Sequence, residues 1–265
     1  MIFQDLHTHS LFDDGSATLE DMVSSAIRRG LRSIGFSGHS PMPGSRWAIP
    51  QDRLADYFSQ ARALQRKYRS LISVFCGLEW DISSDLPQYQ TDYMIGSKHL
   101  LGSGSDAFEV DHCRETTAAG VKRLFDGDFE AAEDAYYAGY TRLLDAPRAR
   151  IVGHYDLITK FDEERRFFRL APSAALDMME KLVKADKIFE VNTGAICRSG
   201  RITPYPSIPL LQALHEMGGR VTLSSDSHST DALLFGFEAQ LRSLKDCGFR
   251  EIWLLSENGF FPEEI

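Results

Sequence analysis

IFQDLHTHS, residues 2–10, is the stretch from which the rest of the chain can be read. Ile2–Leu6 reads as a strand, and two histidines spaced two residues apart follow it. On an extended backbone, residues i and i+2 project to the same side. His7 and His9 therefore present two imidazoles together, just past a strand end. The pattern then recurs along the chain. His39 follows Ser33–Ser37, Glu79 follows Ser73–Leu78, and His99 follows Tyr93–Gly96. His154 follows Ile151–Gly153, and Asp226 and His228 follow Val221–Ser224. With Asp14, these make a set of candidate metal ligands drawn from nearly the whole sequence: His7, His9, Asp14, His39, Glu79, His99, His154, Asp226 and His228. One ion takes about three or four protein ligands. The set is too large for one ion. It predicts a polynuclear site assembled by the whole fold, which favours a metal-dependent hydrolase over a binding module.

Working outward, short apolar runs alternate with helical periods. Thr18 is placed to cap a helix carrying Leu19, Met22, Val23, Ala26 and Ile27, with Gly30 at its end. Strands are expected at Arg32–Ser37, Ile72–Leu78, Tyr93–Gly96, Arg150–Gly153, Ile188–Asn192, Arg220–Ser224 and Glu251–Leu255. Helices are expected at Leu54–Tyr68, Phe129–Leu144, from Pro172 to about Ala185, Ile208–Met217 and Asp231–Lys245. This alternation argues for parallel strands with crossover helices, closed as an α/β barrel. No linker or charge block divides the chain, so one domain over 1–265 is expected. In a barrel the C-terminal strand ends share one face, where active sites are built. The nine candidates would converge there. The Pro-rich stretch Ser40–Asp52 and the Gly-rich stretch Gly102–Cys113 read as loops over the site.

Lys+Arg 29 against Asp+Glu 38 gives a net charge of −9, which argues against a nucleic-acid surface. The four cysteines are far apart and form no CxxC, so they read as reduced thiols. There is no leader-like N-terminus and no long apolar run, so a cytoplasmic protein without a membrane segment is expected. Mixed imidazole and carboxylate ligation suits Zn, Mn or Fe, and the absence of thiolate ligands argues against a structural zinc knot.

Other residues carry two readings. Asp14, in Asp-Asp-Gly, is also ordinary turn chemistry. His112, in a polar loop, and His215, inside a helix, are assigned no role. Asp81 reads equally as a partner for a ligating imidazole or as a turn acid. Trp47, Trp80 and Phe161 read as pocket walls or as core. Arg198 and Arg201 lie just past Ile188–Asn192, where a guanidinium can grip two phosphate oxygens. Arg198 is nearer the strand end and is the first choice.

The motifs DLHTHS (5–10), Asp14-Gly15, GHS (38–40), GLEWD (77–81), GSKH (96–99), GHYD (153–156) and SSDSH (224–228) resemble the polymerase-and-histidinol-phosphatase (PHP) family, in motif order over nearly the whole chain. NTGAICRSGRITPYPS (192–207) and GHYDLITKF (153–161) are most similar to its histidinol-phosphatase branch. The resemblance implies a distorted seven-stranded (β/α)7 TIM-like barrel with three divalent ions. It implies that His7, His9, Glu79 and Asp226 hold one ion, that Glu79, His99 and His154 hold a second with Glu79 bridging, and that Asp14, His39 and His228 hold the third. Glu79, Asp226, His228 and Arg198 are then expected to carry catalysis, and Arg198, Arg201 and Lys98 to contact substrate. Lys98 departs from the family pattern, and either adds positive charge near the phosphate or points away.

A phosphate monoester dianion repels nucleophiles. Metals neutralise it and acidify bound water, so the expected chemistry is in-line attack on phosphorus by a metal-bridging hydroxide, without a phosphoenzyme. The substrate that the resemblance implies is L-histidinol phosphate, cleaved to L-histidinol and phosphate in histidine biosynthesis. Two other readings stand beside it. One is a broad-specificity phosphoesterase or a 3′-end nuclease, and the other is a metal-stabilised module without activity. Monomer and homodimer both stay open.

Overall fold

The computed structural model describes residues 4–265. The Ile2 and Phe3 part of the expected first strand lies outside them. Among the described residues eleven strands form: β1 Gln4–Asp5, β2 Ser33–Phe36, β3 Ser73–Asp81, β4 Tyr93–Ser97, β5 Leu100–Leu101, β6 Phe108–Glu109, β7 Ile151–Val152, β8 Ile188–Asn192, β9 Arg220–Ser224, β10 Glu251–Ser256 and β11 Gly259–Glu264. The helices are α1 Leu19–Arg28, α2 Leu54–Tyr68, α3 Arg114–Phe125, α4 Phe129–Ala138, α5 Ser173–Lys184, α6 Gly194–Ser199, α7 Ile208–Glu216 and α8 Phe237–Asp246. Seven strands run parallel in the order β1-β2-β3-β4-β7-β8-β9. A parallel bridge between Thr8 and Ser227 brings the two edges together, with His9 N–H on Ser227 O (2.8 Å) and Ser227 N–H on His7 O (3.0 Å). The result is a nearly closed, TIM-like seven-stranded barrel.

Strand alternation sorts the side chains. In β3, Val74, Cys76 and Leu78 pack outward against α1 and α2, and Trp80 joins the larger outer core. Phe75, Glu79 and Asp81 alternate with them and face the interior. Below the strand ends, Leu6, Phe75, Tyr93, Ile95 and Ile151 plug the barrel. Tyr93 donates its hydroxyl to Leu6 O at 2.5 Å. A Cβ on Gly77 would stand 2.5 Å from the Tyr93 ring, so glycine there makes room for it. Burying each such aromatic contributes about 2–3 kcal/mol. Polar ligands can stand above this plug because the plug already excludes water from beneath them.

Several local expectations change. α3 was not foreseen. Its start is capped by Cys113, whose sulfur accepts from Thr116 N–H, a cap seldom used. The expected helix over Phe129–Leu144 stops at Ala138 and tightens to a 3-10 turn from Gly139, where the side chain of Lys98 packs closest. The helix expected from Asp231 begins only at Phe237, after Gly236 in the left-handed region (φ 74°). Glu251–Ser256 is not a barrel strand: it forms an antiparallel hairpin with β11. That hairpin docks at the seam through Gln4, which accepts from Leu255 N–H (2.7 Å) and donates to Leu255 O (2.9 Å). The Thr18 cap forms as expected, as a reciprocal box with Asp21. All four cysteines are free. Among the described residues no helix is long and apolar enough to cross a membrane.

Candidate metal centre

The bridge that closes the barrel also builds the site. Thr8 pairs with Ser227, so His7 and His9 on one strand end flank the same step as Asp226 and His228 on the other. His9 Nε2 lies 3.2 Å from Asp226 Oδ1, and the His7 and His9 ring centroids are 5.1 Å apart. Asp226 sits in the left-handed region at φ 50°, a backbone state costing about 1–2 kcal/mol for a residue with a Cβ. A Cβ on Gly194 would come within 2.8 Å of Asp226 Oδ2, so α6 approaches this carboxylate as only glycine allows.

Glu79 stands at the centre. Its Oε1 is 2.8 Å from His154 Nε2 and 3.5 Å from His99 Nε2. Its Oε2 is 2.9 Å from His39 Nδ1, 3.1 Å from His7 Nε2 and 3.7 Å from His9 Nε2. Asp14 Oδ1 is 3.2 Å from His228 Nε2 and 3.7 Å from His39 Nε2. All nine expected donors therefore meet in one place. Two ligand atoms of one tetrahedral zinc or similar ion are about 3.3 Å apart, given bonds near 2.0–2.1 Å. The distances seen here bracket that spacing. His7 Nε2, His9 Nε2 and Glu79 Oε2 are buried with no hydrogen-bond partner among the protein atoms. Orphaned lone pairs of this kind are costly to bury, and divalent ions answer them. Seven of the donors fall into three overlapping groups: His9, Asp14, His39 and His228; His7, His9 and Glu79; and His39, Glu79 and His99. His9 and His39 each belong to two of them, a sharing that the sequence did not indicate.

Behind the imidazoles stand carboxylates. His7 Nδ1 is 2.5 Å from Glu190 Oε1, His9 Nδ1 is 2.6 Å from Asp13 Oδ2, and His99 Nδ1 is 3.1 Å from Asp81 Oδ2. A carboxylate on Nδ1 draws the ring proton there and turns the Nε2 lone pair inward. Glu190 also accepts from His154 N–H (2.9 Å) and from Asn192 Nδ2 (3.0 Å). Of these three acids only Asp81 was considered from sequence, and its role as an imidazole partner is the one observed. Glu190 carried a legible signal, a charge inside the apolar strand IFEVN.

The electrostatics follow the geometry. Burial alone would raise the Glu79 carboxyl, but the imidazoles of His7, His39, His99 and His154 hold it well below its usual range. Burial would lower His9, yet Asp13, Asp226 and Asp14 raise it to about 10. His99 is raised to about 9 by Glu79 and Asp81 against the same burial. His228 moves the other way, lowered by burial and by His9.

The site opens into a cavity of about 320 Å³. Trp47, from the expected loop, forms one wall. Its ring lies 4.6 Å from that of His39, and its Nε1 donates to Glu109 Oε1 at 2.8 Å. The hairpin β5–β6 and the residues after it bring Glu109, Asp111 and His112 to the cavity wall. His112, assigned no role from sequence, is thus a lining residue, while His215 packs on Phe249 in α7 as assumed. Lys160 also lines the cavity, paired with Asp111 Oδ2 at 3.3 Å, and was not foreseen. Trp80 is core, and Phe161 borders a separate apolar pocket.

The three expected substrate cations separate. Arg198 on α6 lines the cavity, with Nη2 3.0 Å from Asp226 Oδ2 and Nη1 2.8 Å from His228 Nδ1. Lys98 does not line it. The alternation that turns His99 inward turns Lys98 outward, where its Nζ stands 5.8 Å over the Tyr136 ring. Arg201 does not line it either. Its guanidinium is spent on Thr159 O (2.9 Å) and Thr203 Oγ1 (3.2 Å), and stacks 4.5 Å over Tyr205.

A parallel barrel whose strand ends gather six imidazoles and three carboxylates, seven of them lining one cavity and His7 and His9 buried against Glu79, defines a metal-dependent hydrolase centre. The family model for the PHP domain matches residues 5–194, and the chain belongs to that family. A Schizosaccharomyces pombe protein named "Probable histidinol-phosphatase" is 25% identical, covering 90% of this chain and 84% of the relative. A Thermotoga maritima protein of the same name is 30% identical, covering 92% of each. Among solved structures, a histidinol phosphate phosphatase of Lactococcus lactis, complexed with zinc, L-histidinol and phosphate, superposes with a TM-score of 0.68 at 22% identity. It covers 97% of this chain and 98% of that one.

Proposed function

We infer that the chain is a metal-dependent phosphomonoesterase that hydrolyses L-histidinol phosphate to L-histidinol and phosphate. The observation that carries this reading is the convergence of all nine donors on one centre, seven of them lining a single cavity, in a chain that aligns nearly end to end with relatives named for that activity. The site is read as trinuclear, with Zn, Mn or Fe. His7, His9 and Asp226 would hold one ion together with Glu79; His99 and His154 would hold a second, also with Glu79; and Asp14, His39 and His228 would hold a third. Bound there, such ions would neutralise the phosphate dianion and acidify water at the centre. The protein residues do the rest. Glu190, Asp13 and Asp81 fix the imidazoles. Trp47 shields the centre from solvent. Arg198 presents a guanidinium edge at the cavity wall, where it can take a phosphoryl oxygen in a charge-assisted bond. Glu109 and Asp111 put carboxylates on the cavity wall, Asp111 paired with Lys160 at 3.3 Å. A wall that carries these acids together with Arg198 fits a substrate with an ammonium group at one end and a phosphate at the other. The metal-bearing but inactive alternative leaves the lined cavity and its guanidinium unexplained.

Phosphate release from L-histidinol phosphate, set against a panel of monoesters and one diester with metal content counted, tests the assignment. A kcat/KM at least about a hundredfold above the panel is expected, since several specific contacts each contribute about tenfold. A flat profile would keep the phosphoesterase and discard the substrate. Because Arg198 braces both Asp226 and His228, Arg198→Ala is expected to raise KM, lower kcat and lose part of its metal, by about 10–100-fold in affinity as for other ligand-bracing groups. Full metal occupancy in that variant would show the brace to be dispensable.

A further inference from the structure

We propose that Tyr205 contacts the substrate, its hydroxyl donating a hydrogen bond to an oxygen of the phosphate ester, with Arg201 as the residue that positions it. The proposal rests on the reading of the cavity as a phosphomonoesterase site.

Tyr205 lines the cavity, with its ring centroid 6.4 Å from that of His154. The residue is 1% exposed, yet its hydroxyl has no partner among the protein atoms. Buried phenols ordinarily find one, and other tyrosines of this chain do. Tyr57 donates to Gly77 O, Tyr155 to Ala175 O and Tyr136 to Lys98 O. The Tyr205 ring is also held where it is. Its backbone pairs with Asn192 in both directions, N–H to O at 3.1 Å and O to N–H at 2.7 Å, which ties it to the end of β8. The Arg201 guanidinium covers its face at 4.5 Å and is anchored by Thr159 O and Thr203 Oγ1. A rigid donor beside the metal ligands, left without an acceptor by the protein, calls for an acceptor on the ligand. A phosphate monoester brings four, three phosphoryl oxygens and the bridging one. Burial pushes the phenol's pKa up, so the group donates a bond and keeps its proton. This also gives Arg201 a role in place of the direct phosphate contact expected from sequence.

The test is Tyr205→Phe in the metal-loaded enzyme, with metal content, thermal midpoint and inhibition by inorganic phosphate measured beside kinetics. Expected are wild-type metal content, an equal or higher midpoint, a 10–100-fold lower kcat/KM, and weaker inhibition by phosphate. The midpoint rises or holds because an unpartnered buried hydroxyl is removed. A larger loss on the alkyl monoester L-histidinol phosphate than on p-nitrophenyl phosphate places the bond on the bridging oxygen. Equal losses place it on the phosphoryl oxygens. Arg201→Met should lower kcat/KM too, and should add little to Tyr205→Phe, since both act through one hydroxyl. Kinetics within twofold of wild type for Tyr205→Phe, or a lowered midpoint with lost metal, would overturn the proposal. A wild-type enzyme inactive on every monoester would remove the phosphatase reading itself and this proposal with it; an active wild type matched by Tyr205→Phe removes only the proposal.

Discussion

Glu79→Gln is expected to lower kcat/KM for the best monoester by about three orders of magnitude or more, together with loss of bound metal. The reason is geometric. Glu79 is 1% exposed and touches imidazoles with both oxygens, His99 and His154 through Oε1, and His7, His9 and His39 through Oε2. Glutamine keeps the shape and one carbonyl oxygen. It replaces the other oxygen with an NH2 that has no lone pair for an ion, and it removes the charge that balances five imidazoles. Metal analysis and kinetics on one preparation check this. A variant that keeps full metal and loses less than tenfold would show that Glu79 is not the shared ligand.

Metal-free protein is expected to be inactive and to lose stability as pH rises from about 7 to about 10. His9 and His99 carry folded-state values of about 10 and about 9, and His7 is also raised well above its ordinary value. Asp13, Asp226 and Asp14 face His9, and Glu79, Asp81 and Asp111 face His99. A raised folded-state value favours the folded protein fully below the unfolded value near 6.5, and that contribution disappears as pH climbs through 9 and 10. Ions need the same imidazoles neutral, so loading them near pH 8 should release about three protons. The gap in thermal midpoint between loaded and metal-free protein should therefore widen over this window. Using the loaded protein as reference also cancels the ionisation of Cys76, whose thiol burial pushes up to about 12. Calorimetry in buffers of different ionisation enthalpy counts the protons. A flat metal-free profile with no proton release would sink the electrostatic account.

Much of the site was legible because it obeys strand periodicity. HxH and DxH repeat the two-residue period, and each single ligand ends an apolar run, where a charged or imidazole side chain needs a reason to be. The same rule, applied one residue earlier, excludes Lys98. Lys98 and His99 are neighbours on an extended chain and cannot both face the cavity. Glu190 was equally readable, as a lone acid in an apolar strand. Asp13 was not, because Asp-Asp-Gly looks the same whether the first acid holds an imidazole or merely shapes a turn. The closing hairpin was missed for a similar reason: Glu251–Leu255 has the pattern of a buried strand, and the pattern does not name its neighbour.

The amino-acid sequence by itself determined the inventory of donors, their place at the ends of parallel strands, and with them the class of chemistry. Those properties are local, set by residue type and by a period of two. Tertiary structure alone decided which acids stand behind the imidazoles, which donors lie within ligand spacing of one another, and which of the three cations lines the cavity. It also decided that Tyr205 enters the cavity with its hydroxyl unanswered. These depend on contacts between residues far apart in the chain, such as Glu190 with His7 and Arg201 with Thr159. Only closure of the barrel between Thr8 and Ser227 brings the two ends of the chain into register and makes the donors one site.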